Sequence, residues 1–174
     1  MFTHKVAIAC ALLVAAGVTL ADGPKLGKPL TAQEIAAWDI NVMPDGGNLP
    51  PGSGTAAQGA RIYAQKCVAC HGENGKGGIS AALTGGAPLT TISAAQKRVA
   101  NYFPYSTTVF DFIRRAMPWQ QPRSLTNDEV YALTAYIFAL NKLVAEDATM
   151  NAETLPRVRM PNRDGFIVRF PEKM

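Results

Sequence analysis

Cys67-Val68-Ala69-Cys70-His71 holds the residues best placed to do chemistry in this chain of 174 amino acids. It reads C-x-x-C-H, the attachment pattern of a c-type haem. Two thiols three positions apart share one turn, so both can bond the vinyl groups of a single porphyrin. His71 then meets the iron as a proximal axial ligand. The chain has three cysteines and two histidines. Cys10 and His4 fall in an apolar leader, so the rest of the chain keeps its thiols and imidazole inside this pentapeptide. A zinc site would need further Cys or His ligands, and none remain. A redox dithiol needs no trailing His and usually follows a strand of a βαβ unit, a pattern absent here. A structural Cys67–Cys70 disulfide is the third bland reading.

An iron held by one His takes a sixth ligand or keeps an open face. With no second His outside the leader, a thioether is the natural candidate, soft and favouring ferrous iron. The methionines outside the leader are Met43, Met117, Met150, Met160 and Met174. Met117 comes first, because it precedes Pro118 at the end of a helical pattern, where a loop can swing over the distal haem face. Met160, before Pro161, comes second, and a Met is ordinarily core filler. An open sixth site would make the protein a haem enzyme or sensor.

The elements around these residues read as helices. Thr31-Ala32-Gln33-Glu34 is a capping box opening a short helix to about Trp38. Thr55 to about Cys70 forms a helix that ends in the motif. Gly59 costs that helix about 1 kcal/mol against Ala, tolerable where another helix must come close. Residues 72–86 form a glycine-rich loop. Its Gly-Glu-Asn-Gly-Lys-Gly-Gly run lacks the Ser or Thr and the preceding strand of a phosphate loop. Ser93 can cap a helix to about Asn101, and Ser106 another over Thr107–Ala116, stopped by Pro118. Thr126-Asn127-Asp128-Glu129 is a second capping box, opening an amphipathic helix to about Leu143 with Val130, Leu133, Tyr136, Ile137 and Leu140 on its apolar face. No sheet is evident. The fold class is all-α, with one helical domain over residues 55–145. Pro- and Gly-rich arms flank it, over residues 22–54 and 146–174.

Residues 1–21 read as a signal peptide, with Lys5 its only charge, an apolar run of about 13 residues and small residues before Asp22. The run is short of the ~20 residues that span a bilayer. Export to the periplasm, with no membrane span after cleavage, is the expected localisation. The net charge of +4 falls to +3 without Lys5, and two haem propionates would bring it close to neutral. The basic residues are dispersed. The cluster Arg157, Arg159, Arg163 and Arg169 is a modest surface feature, and nothing suggests nucleic acid. A second C-x-x-C-H is absent, so one haem is expected. Asp39, Asp111 and Asp164 are read as caps, turn residues or salt-bridge partners, and no acid/base pair or nucleophile is arranged for substrate chemistry. Trp119 and Tyr105 are candidates to pack on the haem.

Over residues 55–143 the chain resembles a class I cytochrome c, through the C-x-x-C-H after an N-terminal helix, the Met-Pro between helices and the final T-x-D-E-V-x-A-L-x-A-Y-I helix. The segments AAWDINVMPDG, LPPGSGT, YFPYSTTVFDFIRRAMPW, LTNDEVYALTAYIFALN and LPRVRMPNRDGF are similar to the cytochrome subunits (SoxD type) of Sox sulfane dehydrogenases, in a monohaem form. That resemblance implies a molybdenum-containing catalytic subunit as partner in periplasmic thiosulfate oxidation. It also implies covalent haem c on Cys67 and Cys70, electrons received one at a time, and a downstream cytochrome acceptor. A cytochrome subunit of another dehydrogenase and a soluble carrier remain the alternatives within electron transfer. The apolar residues of the arms, among them Trp38, Ile40, Val42, Leu155, Val158 and Phe166, imply burial against the domain or a partner.

Overall fold

The computed structural model describes residues 26–90 and 93–167; the leader, Arg169 and Met174 lie outside them. The described residues divide into two units, the first ending at Asp39 and the second beginning at Ile40. In the first, α1 (Ala32–Trp38) carries the expected capping box: Thr31 Oγ1 accepts from the Glu34 N–H, and the Glu34 carboxylate accepts from the Thr31 N–H. None of its residues is buried.

The second unit is built on α2 (Ala56–Lys66) and α6 (Asn127–Leu140), each opened by a capping box, at Thr55/Gln58 and at Thr126/Glu129. Between them in the chain come α3 (Val68–His71), α4 (Val99–Tyr102) and α5 (Ser106–Ala116). The long helix α6 is buried on almost every side, Tyr136 being a half-buried exception, because α2, α5 and both flanking segments pack on it. It is therefore the central helix, where its sequence pattern suggested a one-faced one. Gly59 explains how α2 comes so near: a Cβ there would collide with the Ala132 carbonyl, and one at Gly54 with the Ala132 backbone. The propensity lost at Gly59 is traded for direct backbone-to-backbone contact.

Four local expectations are revised. The segment from Ser93 to Asn101 is two pieces, a 3-10 turn (Ala94–Gln96) and α4, because Arg98 is extended and the Asn101 side chain takes its N–H. Tyr105, not Ser106, is the N-cap of α5; the Ser106 hydroxyl instead donates to the Leu155 carbonyl at 2.6 Å. Helix α6 stops at Leu140, where Asn141 caps it and Lys142 takes a left-handed φ of 57°. Finally, a two-stranded antiparallel ribbon joins β1 (Ser53–Thr55) to β2 (Thr149–Asn151), pairing Gly54 with Met150. At three residues each, these strands are too short to show an alternating pattern.

The ribbon ties the flanking segments to the helices. Met150, Leu155 and Met160 are buried in the helical core, and Val42, Leu49 and Val158 pack against it. The path of residues 40–54 is fixed by Arg115 to Asn41 (2.8 Å), Tyr131 hydroxyl to the Pro50 carbonyl (2.8 Å) and the Ser53 N–H to Asp128 (2.8 Å). Much of both arms thus folds on its own domain.

Gly59→Ala should destabilise the protein by about 1–3 kcal/mol despite its better helix propensity, because the crowded crossing cannot absorb a methyl group. Denaturant unfolding measures it; a neutral or stabilised variant would contradict the close crossing.

Candidate haem site

The Cys67–His71 segment follows directly from the end of α2. The Cys67 N–H donates to the Tyr63 carbonyl, and the chain turns into α3, which carries Cys70 and His71. Both thiols are free and half-buried. Burial pushes the Cys67 thiol up to about 11, against the pull of Lys66. Such a thiol is protonated at neutral pH, unlike the thiolates that drive dithiol redox exchange.

The glycine-rich loop folds back onto this segment. Gly77 N–H donates to the His71 carbonyl at 2.8 Å and Ser80 N–H to the Cys70 carbonyl at 2.9 Å. Gly72, at φ +71°, lies so near Gly77 that a side chain would strike the Gly77 carbonyl. The result is a carbonyl, that of Ala81, 2.9 Å from His71 Nδ1. A carbonyl only accepts, so Nδ1 carries the proton and the Nε2 lone pair is left for a metal. Tyr63 secures the same turn from α2. Its hydroxyl donates to the Gly72 carbonyl at 2.9 Å, and its ring packs on Tyr136 at 5.3 Å. Burial raises this phenol to about 12.

Cys67, Cys70 and His71 open onto a cavity of 590 Å³. Leu133 and Ile137 of α6, Val109, Phe112 and Ile113 of α5, and Val99, Tyr102 and Phe103 complete an almost wholly apolar lining. Met117 lines the same cavity. It is the C-cap of α5, extended, and joined to Pro118 by a cis peptide bond. Met160 does not line it: its side chain is 1% exposed in the core beneath the C-terminal segment. Met150 is likewise buried in the core, and Met43 is exposed. Trp119 lines the cavity mouth, whereas Tyr105 lies outside it, under the Arg163 guanidinium at 4.1 Å. Asp39 caps α1, Asp111 takes both its oxygens to Arg115 Nε at 2.8 Å, and Asp164 pairs with Arg159 at 2.6 Å.

A haem suits this arrangement. The volume lies within the roughly 300–1,000 Å³ of cofactor pockets, which are mostly apolar with a few placed polar groups. The donor set is two thiols, one imidazole with its tautomer fixed and one thioether, with no group of three or more acids, thiols or imidazoles among the described residues to suggest another metal. The Ala81 carbonyl and the Tyr63 hydroxyl were not singled out in the sequence, whereas Leu133 and Ile137 of the wall were read there as apolar-face residues. Only Tyr63, one turn before Cys67 on the same helix side, offered a signal.

The family model described as "Cytochrome C oxidase, cbb3-type, subunit III" matches residues 54–137. The crystal structure of the sulfane dehydrogenase SoxCD from Paracoccus pantotrophus contains a chain that is 37% identical and aligns with a TM-score of 0.77, over 83% of this chain and 72% of that one. Among the described residues no helix is long and apolar enough to cross a membrane. The chain belongs to the class I cytochrome c family, a c-type haem protein similar to the cytochrome subunit of sulfane dehydrogenase.

Proposed function

We propose that this chain is the periplasmic, monohaem electron-accepting subunit of a molybdenum-containing dehydrogenase acting on sulfur compounds of the sulfane or sulfite type in thiosulfate oxidation. One observation carries the reading: a single apolar cavity gathers Cys67, Cys70, His71 and Met117. Cys67 and Cys70 would hold the haem by thioether bonds, and His71 Nε2 and Met117 Sδ would hold its iron. The bound haem supplies one-electron acceptance and release. The chain's own apolar residues keep water from it and the Ala81 carbonyl fixes the imidazole, while Trp119 stands exposed at its edge. The single C-x-x-C-H supports one haem, and the apolar leader supports export.

The similarity to SoxCD supports a dehydrogenase partner, and a downstream cytochrome acceptor completes the proposal. Helix α1 is the best candidate to reach that partner. Its segment exposes Leu26, Leu30, Ile35 and Trp38, the last at 83%, and such side chains favour an interface over water. A free carrier would need no such segment.

Met117→Ala should vacate the sixth position, lower the potential and abolish the methionine–iron band of the ferric spectrum. Met160→Ala should keep the band while destabilising the core by about 2–5 kcal/mol. The reverse pattern would move the ligand to the C-terminal segment.

The double variant Ile35→Ala/Trp38→Ala should keep the haem spectrum and unfolding midpoint, since neither residue is buried. Its affinity for the molybdenum subunit should fall about 10–100-fold, which corresponds to about 1.4–2.8 kcal/mol. Titration calorimetry with the partner measures it; unchanged affinity would remove α1 from the interface.

A further inference from the structure

The cavity has a charge asymmetry that haem ligation leaves unused. Its lining contains three cations, Lys66, Lys97 and Arg98, and no Asp or Glu. Lys66 adjoins Cys67 at the attachment edge and is already neutralised by Glu129 at 2.6 Å. Lys97 and Arg98 come from the segment just before α4 and pair with no acid among the described residues. Both are half-buried. The other titratable groups on the lining are Tyr63, Tyr102, His71 and the two thiols.

The local structure holds these two cations in place. Asn101, a buried polar residue, takes the Arg98 N–H at 2.7 Å and donates to the Gln96 and Ala87 carbonyls at 3.0 and 2.8 Å. Gly86, at φ +90°, lies so close that a side chain would strike Asn101 and Arg98. Arg98 Nη1 donates to the Ala95 and Lys97 carbonyls at 2.9 and 2.8 Å. That leaves the Nε and Nη2 donors, the edge of the guanidinium that matches a carboxylate bidentately. Lys97 Nζ rests over the Tyr102 ring at 4.3 Å and keeps its hydrogen-bonding capacity.

We propose that Lys97 and Arg98 are the carboxylate-binding end of this cavity and hold the two propionates of the haem. The proposal rests on the haem reading above. A porphyrin bound by its vinyl groups at Cys67 and Cys70 presents its propionates at the far edge. Two cations on the same lining, away from the attachment residues in the chain, would meet two carboxylates in a largely apolar site, and each favours the ionised form.

Redox titration at a series of pH values tests it. An ionised propionate stabilises ferric over ferrous iron, so a propionate that titrates makes the potential fall as pH rises. With Lys97 and Arg98 present the propionates stay ionised, and the potential should be flat between about pH 6 and 8. Lys97→Gln and Arg98→Gln should each raise propionate protonation into this window and give a falling slope, steeper in the double variant. Each should also shift the propionate bending bands in resonance Raman spectra. Lys97→Arg should restore the flat profile, and Arg157→Gln, at an exposed position outside the cavity, should leave it flat. Acid–acetone extraction is run alongside, and haem should stay covalently bound. Flat profiles and unshifted bands in both Gln variants, with covalent haem intact, would overturn the assignment. Freely extractable haem in the unmutated protein would instead overturn the haem reading beneath it.

Discussion

The close crossing of α2 and α6 is the constraint on which the rest of the helical domain depends. Glycine at 59 and 54 lets two backbone surfaces meet at Ala132, so α2 runs across the central helix with no side-chain layer between them. One turn further on, Tyr63 packs on Tyr136 and reaches the Gly72 carbonyl. The end of α2 is thereby fixed against α6, and with it Cys67, Cys70 and His71. The same α6 supplies Leu133 and Ile137 to the cavity. A side chain at Gly59 would disturb both the core and the placement of the motif.

The segments outside the helices complete this scaffold from two sides. The β1–β2 ribbon joins residues 53–55 to 149–151 across α6, and Leu155 and Met160 fill the core near the N-terminal end of α5, where Ser106 bonds the Leu155 carbonyl. Asn162 donates to the Tyr102 carbonyl at 2.7 Å and Phe166 packs on its ring, so the C-terminal segment also braces a wall of the haem cavity. Burial divides the apolar arm residues into two kinds. Val42, Leu155 and Val158 belong to the domain, whereas Ile35 and Trp38 on α1 remain exposed.

The features legible in the sequence were those in which a few adjacent residues determine the outcome. The capping boxes at Thr31 and Thr126 satisfy helix-end N–H groups with side chains three positions away, so both appear as read. C-x-x-C-H and Met-Pro are local patterns of the same sort, and the structure brings their residues to one cavity. What was not legible depends on distant backbone. The Ala81 carbonyl is independent of side-chain identity, and three-residue strands have no periodicity. Ser106 looked like a cap because the sequence does not reveal that Leu155 would stand opposite its hydroxyl. Nothing adjacent in the sequence marks Lys97 and Arg98; Asn101 and Gly86 hold the segment that puts them on an acid-free lining.

The division of labour that follows is simple. This chain offers a largely apolar cavity on which two thiols, one imidazole and one thioether converge. Under the proposed function, substrate chemistry belongs to the partner and this chain takes the electrons. The most direct measurement is rapid mixing of the co-purified complex with a sulfane-sulfur substrate, following the haem absorbance. The account predicts haem reduction at the rate of turnover, with molybdenum present in stoichiometric proportion to haem. Turnover of substrate while the haem stays ferric would contradict it.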